Sequence, residues 1–250
     1  MSRVKKDDLS LIDIFKSLVK DRRQFLRLVI ILAISAVISI GLINLFFNLA
    51  EMIGSPKLVQ LDDHFMKLII DQRTDSRTSI MRAITSLGSA PAYFILVPVS
   101  ALILFLRGRQ WNLVIQASII LISASLLNTG LKNIYSRPRP LAHLHLVDVD
   151  SYSYPSGHAM SAMVFYGFLV YLTVTFIRNR WLQILVIVLN TMLILAIGIS
   201  RTYLGVHYPS DVLAGWAAGL CWLIICILIL RLFHFVKGKN RSIIHPNTQN

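Results

Sequence analysis

The sequence predicts an all-α integral membrane protein: a bundle of six transmembrane helices with an outer-face amphipathic helical segment between spans one and two. Three observations carry this expectation. Apolar residues make up 55% of the 250 positions and charged residues only 15%, and the mean hydropathy is +0.65, a composition outside that of soluble domains. The apolar residues gather into six runs, each near the length needed to cross about 30 Å of hydrocarbon at about 1.5 Å per helical residue. The net charge of +13 falls mainly in the tails and in short turns between those runs.

Residues 1–25 read as a basic cytoplasmic tail with Arg3, Lys5, Lys6, Lys16, Lys20, Arg22 and Arg23. Its stretch from Leu9 to Val19 is amphipathic and suits either a membrane surface or a solvated tail. The first run, about Phe25 to Ala50, is too long for a signal-peptide core and no small-residue cleavage site follows it, so a retained span is expected. Loop 51–89 carries two apolar stripes, Leu58, Leu61, Phe65, Leu68 and Ile69, then Ile80, Met81, Ile84 and Leu87, expected to lie against the bundle as a lid or lipid-entry gate. The other spans are expected at about 90–106, 111–133, 159–177, 181–199 and 212–234. Arg107-Gly108-Arg109 and Arg178-Asn179-Arg180 have room only for hairpin corners. The domain is thus expected over residues 26–234, with 235–250 a second cytoplasmic tail.

Sixteen of the 25 Lys and Arg residues lie in the N-terminal segment as far as Arg27, the two tight corners and the C-terminal segment from Arg231, while eight of the 12 acids lie in the remaining loops. The positive-inside rule then puts both termini in the cytoplasm and loops 51–89, 134–158 and 200–211 on the periplasmic or extracellular side of the cell membrane. The basic charge does not point to nucleic acid, because no helix-turn-helix, zinc-finger or aromatic-platform pattern accompanies it. Cys221 and Cys226 share one apolar run and supply neither a disulfide framework nor a zinc site.

Three polar clusters fall on that outer side: Lys132 with Arg139-Pro140, Pro155-Ser156-Gly157-His158, and Ser200-Arg201 followed by His207 and Asp211. The residues between His158 and Ser200 fit two spans and a tight turn, which returns the chain to the same surface. Cations at helix ends of a membrane protein are costly unless they meet anions. Lys132, Arg139 and Arg201 therefore call for an anionic ligand, and the planar fork of Arg suits a tetrahedral oxyanion such as phosphate. Arg137 is read differently, as an interfacial side chain that snorkels. Ser156 and Gly157 open a span, where free backbone N–H groups and the helix dipole attract anions. His158 and His207 supply acid and base. Asp211, four residues after His207, is placed to accept its ring N–H and leave the other nitrogen free to attack phosphorus. A rival reading puts a divalent metal on His143, His145, Asp148 and Asp150, although the spacing also suits a solvated loop.

These residues resemble the type 2 phosphatidic acid phosphatase family, in its membrane-bound bacterial lipid phosphatase branch. The family pattern K-x6-RP, PSGH and SR-x5-H-x3-D is matched at all eleven fixed positions, from Lys132 to Asp211. The resemblance implies a cofactor-free, metal-independent hydrolase of lipid phosphates: His207 the nucleophile that forms a phosphohistidine, His158 the general acid, Asp211 the residue that orients His207. Lys132, Arg139, Ser156, Gly157 and Arg201 would hold the phosphate. The expected partners are a lipid phosphate and the bilayer, with no nucleic acid and no obligate protein partner. Undecaprenyl diphosphate and phosphatidylglycerophosphate lead as substrates, with lipid A and phosphatidic acid as alternatives. A lipid transporter is the rival from another class, disfavoured because the charges cluster at one surface rather than at the midplane. A lipid-binding protein without catalysis is disfavoured by the intact histidines and Asp211.

Overall fold

A computed structural model describes residues 22–106 and 112–244. The amphipathic stretch from Leu9 to Val19 and the corner Arg107-Gly108-Arg109 lie outside the described residues. Among the described residues the chain is all-helical: α1 Arg22–Glu51, α2 Pro56–Ile70, α3 Asp75–Ser86, α4 Ala90–Leu106, α5 Asn112–Tyr135, a 3-10 turn Ala142–Leu144, α6 Gly157–Phe176, α7 Arg180–Tyr203 and α8 Pro209–Ile244.

Local chemistry sets several of these boundaries. Ser55, Thr74, Ser156 and Asn179 each accept a hydrogen bond from a first-turn backbone N–H of α2, α3, α6 and α7, satisfying donors that a helix start leaves open. Pro56 and Pro209 open α2 and α8, where the missing N–H costs nothing. By length and composition, five helices can cross a membrane: Phe25–Glu51, Asn112–Tyr135, Gly157–Phe176, Arg180–Tyr203 and Pro209–Leu232. The expected span at 90–106 is a helix of 17 residues. Joined to α3 across a 59° bend, it makes a sixth candidate span.

The chain divides into two compact units, residues 1–40 with 224–250, and residues 41–223. The described part of the first comprises the helical stretches 22–40 and 224–244, whose apolar side chains, such as Ile34, Val37 and Ile229, are exposed as suits hydrocarbon. The second unit holds the core and all three polar clusters. There α6 and α7 form a hairpin around Tyr93, Ala162, Phe165, Tyr166, Ile194 and Ile197. Two glycines set the approach of α8 to α6: a Cβ on Gly215 would stand 2.6 Å from the Ser156 carbonyl oxygen, and one on Gly219 2.8 Å from that of Met160. Small residues four apart permit such backbone contact between membrane helices.

The segment 51–89 corrects part of the sequence reading. The buried face of α2 is Leu58, Asp62 and Met66, at 4%, 2% and 4% exposure, whereas Leu61, Phe65 and Leu68 of the expected inward stripe are 45%, 50% and 53% exposed. In α3, Met81 packs on Tyr203, Leu204 and Val206 and Ile84 on the main core, but Ile80 and Leu87 are exposed. The helix α2 therefore turns a carboxylate inward and an apolar stripe outward, which is unfavourable against water and favourable against an apolar medium.

Candidate active site

His207 sits in the turn between α7 and α8, which closes through bonds from Leu204 N–H to the Ser200 carbonyl and from Val206 N–H to the Arg201 carbonyl. Gly205 makes the turn possible: its φ is +78°, and a Cβ there would collide with the Leu144 carbonyl. Asp211 lies in the first turn of α8, and both His207 and Asp211 are buried.

Both carboxylate oxygens of Asp211 are engaged. Its Oδ2 accepts from Ser153 Oγ at 2.5 Å and from Tyr208 N–H at 2.9 Å, and lies 3.5 Å from His207 Nδ1. Its Oδ1 accepts from Arg137 Nη1 at 2.6 Å. On the other edge of the ring, Arg139 Nη1 approaches His207 Nε2 at 3.2 Å. A guanidinium has only donors, so Nε2 is the acceptor and the ring proton belongs on Nδ1. That proton points at Ser153 Oγ, 3.3 Å away, which passes its own to Asp211. Burial lowers the His207 pKa and Asp211 opposes the shift, while Arg139 and Arg201 add to it. The imidazole is therefore neutral near neutral pH, with its unprotonated nitrogen, Nε2, turned to Arg139.

Arg139, at the Nε2 edge of the ring, belongs to a cluster of cations. Lys132, Arg139 and Arg201 feel one another's charge, and Lys132 and Arg201 are buried. Among the described residues none of the three has a carboxylate within ion-pair distance. Their donors rest on neutral oxygens. Lys132 Nζ donates to the Tyr152 carbonyl. Arg139 donates to the Ser151 carbonyl at 2.5 Å and the Val206 carbonyl at 2.6 Å, and Arg201 to Thr85 Oγ1 at 2.9 Å. Arg201 Nε is buried with no partner at all, which costs free energy unless a ligand supplies an acceptor. Ser156 caps α6 beside this cluster, its own N–H donating to the Asp211 carbonyl at 3.0 Å. A Cβ on Gly157 would come within 4.0 Å of Lys132 Cε. His158 follows and faces the charges of Arg201, His207, Arg139 and Lys132. All eight residues expected at the site lie in this one neighbourhood.

Arg137 departs from its expected snorkelling position. It is buried, bridging Asp211 and Asp62, the latter through Nη2 to Oδ2 at 2.8 Å, and it stacks 4.2 Å from the Tyr208 ring centroid. Burial alone would depress its pKa, but Asp211 and Asp62 outweigh burial and raise it. Sequence reasoning missed Asp62, Ser153, Ser210 and Thr85 as well. Ser210 joins Arg137 to Asp62, donating to Asp62 from N–H at 2.9 Å and from Oγ at 2.6 Å. The only sequence signal was Arg137 lying two residues before Arg139. On the rival metal reading, His145 Nε2 lies 2.9 Å from the Pro140 carbonyl, and among the described residues no three His, Cys, Asp or Glu side chains gather to hold a metal.

Beside His158 and Gly157 opens a cavity of about 560 Å³, lined along α4 and α5 by apolar residues such as Phe94, Val97, Leu121 and Ile122.

Residues 113–234 match the model of the PAP2 superfamily. Phosphatidylglycerophosphatase B of Bacillus subtilis (strain 168) is 29% identical over 206 residues, covering 82% of this chain and 95% of the relative. An undecaprenyl-diphosphatase of Sulfolobus acidocaldarius is 29% identical over 175 residues, covering 68% of this chain and 78% of that one. The crystal structure of a transmembrane PAP2-type phosphatidylglycerolphosphate phosphatase from Bacillus subtilis superposes with a TM-score of 0.72 at 27% identity, over 78% of this chain and 96% of the other.

Proposed function

We propose, from the premise that the chain belongs through residues 113–234 to the PAP2 superfamily, that it is a membrane lipid phosphatase using His207 as a covalent nucleophile. The observation that carries this reading is the gathering of Lys132, Arg139 and Arg201, without carboxylate partners among the described residues, beside His207, whose unprotonated Nε2 faces Arg139. A phosphate group satisfies those cations and presents phosphorus to the lone pair. In the first step Nε2 forms the bond to phosphorus while the phosphorus–oxygen bond to the lipid breaks. The leaving oxygen takes its proton from His158, which holds one once the phosphate has brought negative charge into the cluster. Asp211 and Ser153 hold the Nδ1 proton and stabilise the phosphoimidazolium. In the second step water, deprotonated by His158, attacks the phosphohistidine and releases inorganic phosphate. The amide of Gly157 and the capped start of α6 add neutral donors to the phosphate. No cofactor or metal enters this scheme.

The apolar cavity beside His158 supports a substrate with a hydrocarbon tail lying in the plane of the bundle. Phosphatidylglycerophosphate and undecaprenyl diphosphate are the substrates to test first, in keeping with the names of the relatives, followed by phosphatidic acid and lipid A. The clustering of basic residues in tails and corners supports cytoplasmic termini and a site on the outer face of the cell membrane, within a domain spanning residues 26–234. The test is phosphate release from those four lipids in detergent micelles, with His207→Ala as blank, followed by trapping of radiolabel on the protein. Turnover by His207→Ala, or label on another residue, would refute the reading.

A further inference from the structure

We propose that Asp62 and Arg137 are positioning residues that set the charge balance of the Asp211–His207 couple from the side opposite the reacting nitrogen. The proposal rests on His207 being the nucleophile, and it assigns a chemical role to the outer helix α2. Arg137 places one guanidinium nitrogen between Asp211 Oδ1 at 2.6 Å and Ser210 Oγ at 2.8 Å, and the other 2.8 Å from Asp62 Oδ2. Asp62 spends its remaining capacity on Ser210, at 2.9 and 2.6 Å. Asp62 and Asp211 are 2% and 0% exposed and Arg137 5%, so solvent does little to screen them.

The charges explain why a second carboxylate is there. Asp62, Arg137 and Asp211 sum to minus one, which a neutral His207 leaves uncompensated and a cationic one cancels. Attack on phosphorus makes the ring cationic, so the network favours the state that the reaction creates. Without Asp62, Arg137 would turn its whole charge on Asp211 and weaken its hold on the imidazolium. Without Arg137, Asp211 would act on the ring unopposed. The other charged or titratable groups facing His207 are Arg139, Arg201 and His158, with Lys132 facing Asp211 and Asp63 facing Tyr208. Both substitutions leave those groups in place.

A strut that merely fixes α2 to α8 would lose stability when cut but would not move a titration in two directions. The test is the pH profile of kcat/KM for Asp62→Asn and Arg137→Gln in the full-length protein, on whichever lipid phosphate of the panel the wild type hydrolyses fastest. The acidic limb reports deprotonation of His207. Arg137→Gln is expected to move it toward higher pH and Asp62→Asn toward lower pH, each by about one unit. In both, kcat falls about 10- to 100-fold, the size typical of outer-shell partners, while KM stays near wild type. Arg137→Lys keeps the charge and is expected to keep the limb. Limbs that stay put, or move the same way in both variants, overturn the proposal. Should Arg137→Gln fail to fold, Asp62→Asn decides alone, since its limb must move toward acid. His207→Ala in the same assay separates the two claims: if it is inactive while the limbs stay fixed, only the positioning role falls.

Discussion

Arg139 Nη1 stands 3.2 Å from His207 Nε2 and, in the same pose, 2.6 Å from the Val206 carbonyl oxygen. The unprotonated nitrogen of the ring and the guanidinium are thus in direct contact. On the proposed function, a phosphate would exchange this contact for bonds from the guanidinium to its oxygens, which are charge-assisted and stronger.

Arg139→Ala is accordingly expected to lower kcat/KM about 100- to 1000-fold, or roughly 3–4 kcal/mol of barrier, as when an oxyanion donor is removed. Steady-state phosphate release measures it. Arg139→Lys restores a charge without the fork and should recover only part of the loss. Near wild-type turnover in Arg139→Ala would remove Arg139 from the phosphate site.

Ser153 stands between the two halves of the couple, donating to Asp211 Oδ2 at 2.5 Å with its oxygen 3.3 Å from His207 Nδ1. Ser153→Ala breaks that relay but leaves Nδ1 within 3.5 Å of the carboxylate. The expected cost is about tenfold in kcat, the value of one modest hydrogen bond to a charged group, with KM unchanged. A drop as deep as that of Asp211→Ala would mean that Ser153, rather than Asp211, orients the ring.

That Lys132, Arg139, Ser156, Gly157, His158, Arg201, His207 and Asp211 share one neighbourhood was legible because they fall at or just beyond the ends of apolar runs whose lengths return the chain to the same side of the bundle. Arg137 was misread because its partners, Asp62 and Asp211, lie 75 and 74 positions away, and spacing carries no information about a contact that tertiary folding creates. The stripe on α2 held at Leu58 and Ile69 and failed at its other three residues for another reason. The rule that apolar residues turn inward assumes water outside, and Leu61, Phe65 and Leu68 face outward while Asp62 is drawn in by Arg137 and Ser210. The helix at 90–106 was legible from hydropathy, a signal that gave no sign of the 59° bend joining it to α3.

Acid should destabilise the fold through His207. Burial holds its pKa below the ordinary value despite Asp211, so the folded state favours the neutral ring. For a histidine depressed in this way the contribution is fully present above the unfolded pKa of about 6.5 and is lost as pH falls toward the folded value, at up to roughly 1.4 kcal/mol per pH unit. Thermal unfolding in detergent from pH 7.5 to 5 should therefore show a steeper decline for the wild type than for His207→Gln, which has no proton to gain. Parallel curves would mean that His207 does not bear this load.

The contact of α8 with α6 gives the sharpest test of how the fold serves the site. A Cβ on Gly215 would stand 2.6 Å from the Ser156 carbonyl oxygen and 3.1 Å from Ala159 Cβ, and backbone cannot step aside as a side chain can. Gly215→Ala should cost about 1–3 kcal/mol through overpacking, seen as a lower unfolding temperature. It should also raise KM, because the residue pushed away is the cap that starts α6 and leads directly into Gly157 and His158. The matched control is Gly130→Ala, where a Cβ would meet nothing within 4 Å and the helix should gain about 0.5–1 kcal/mol from the lost flexibility of glycine. If the two alanines behaved alike, the close approach at Gly215 would have no energetic consequence, and the position of Ser156 would have to be set by its bond to the Asp211 carbonyl instead.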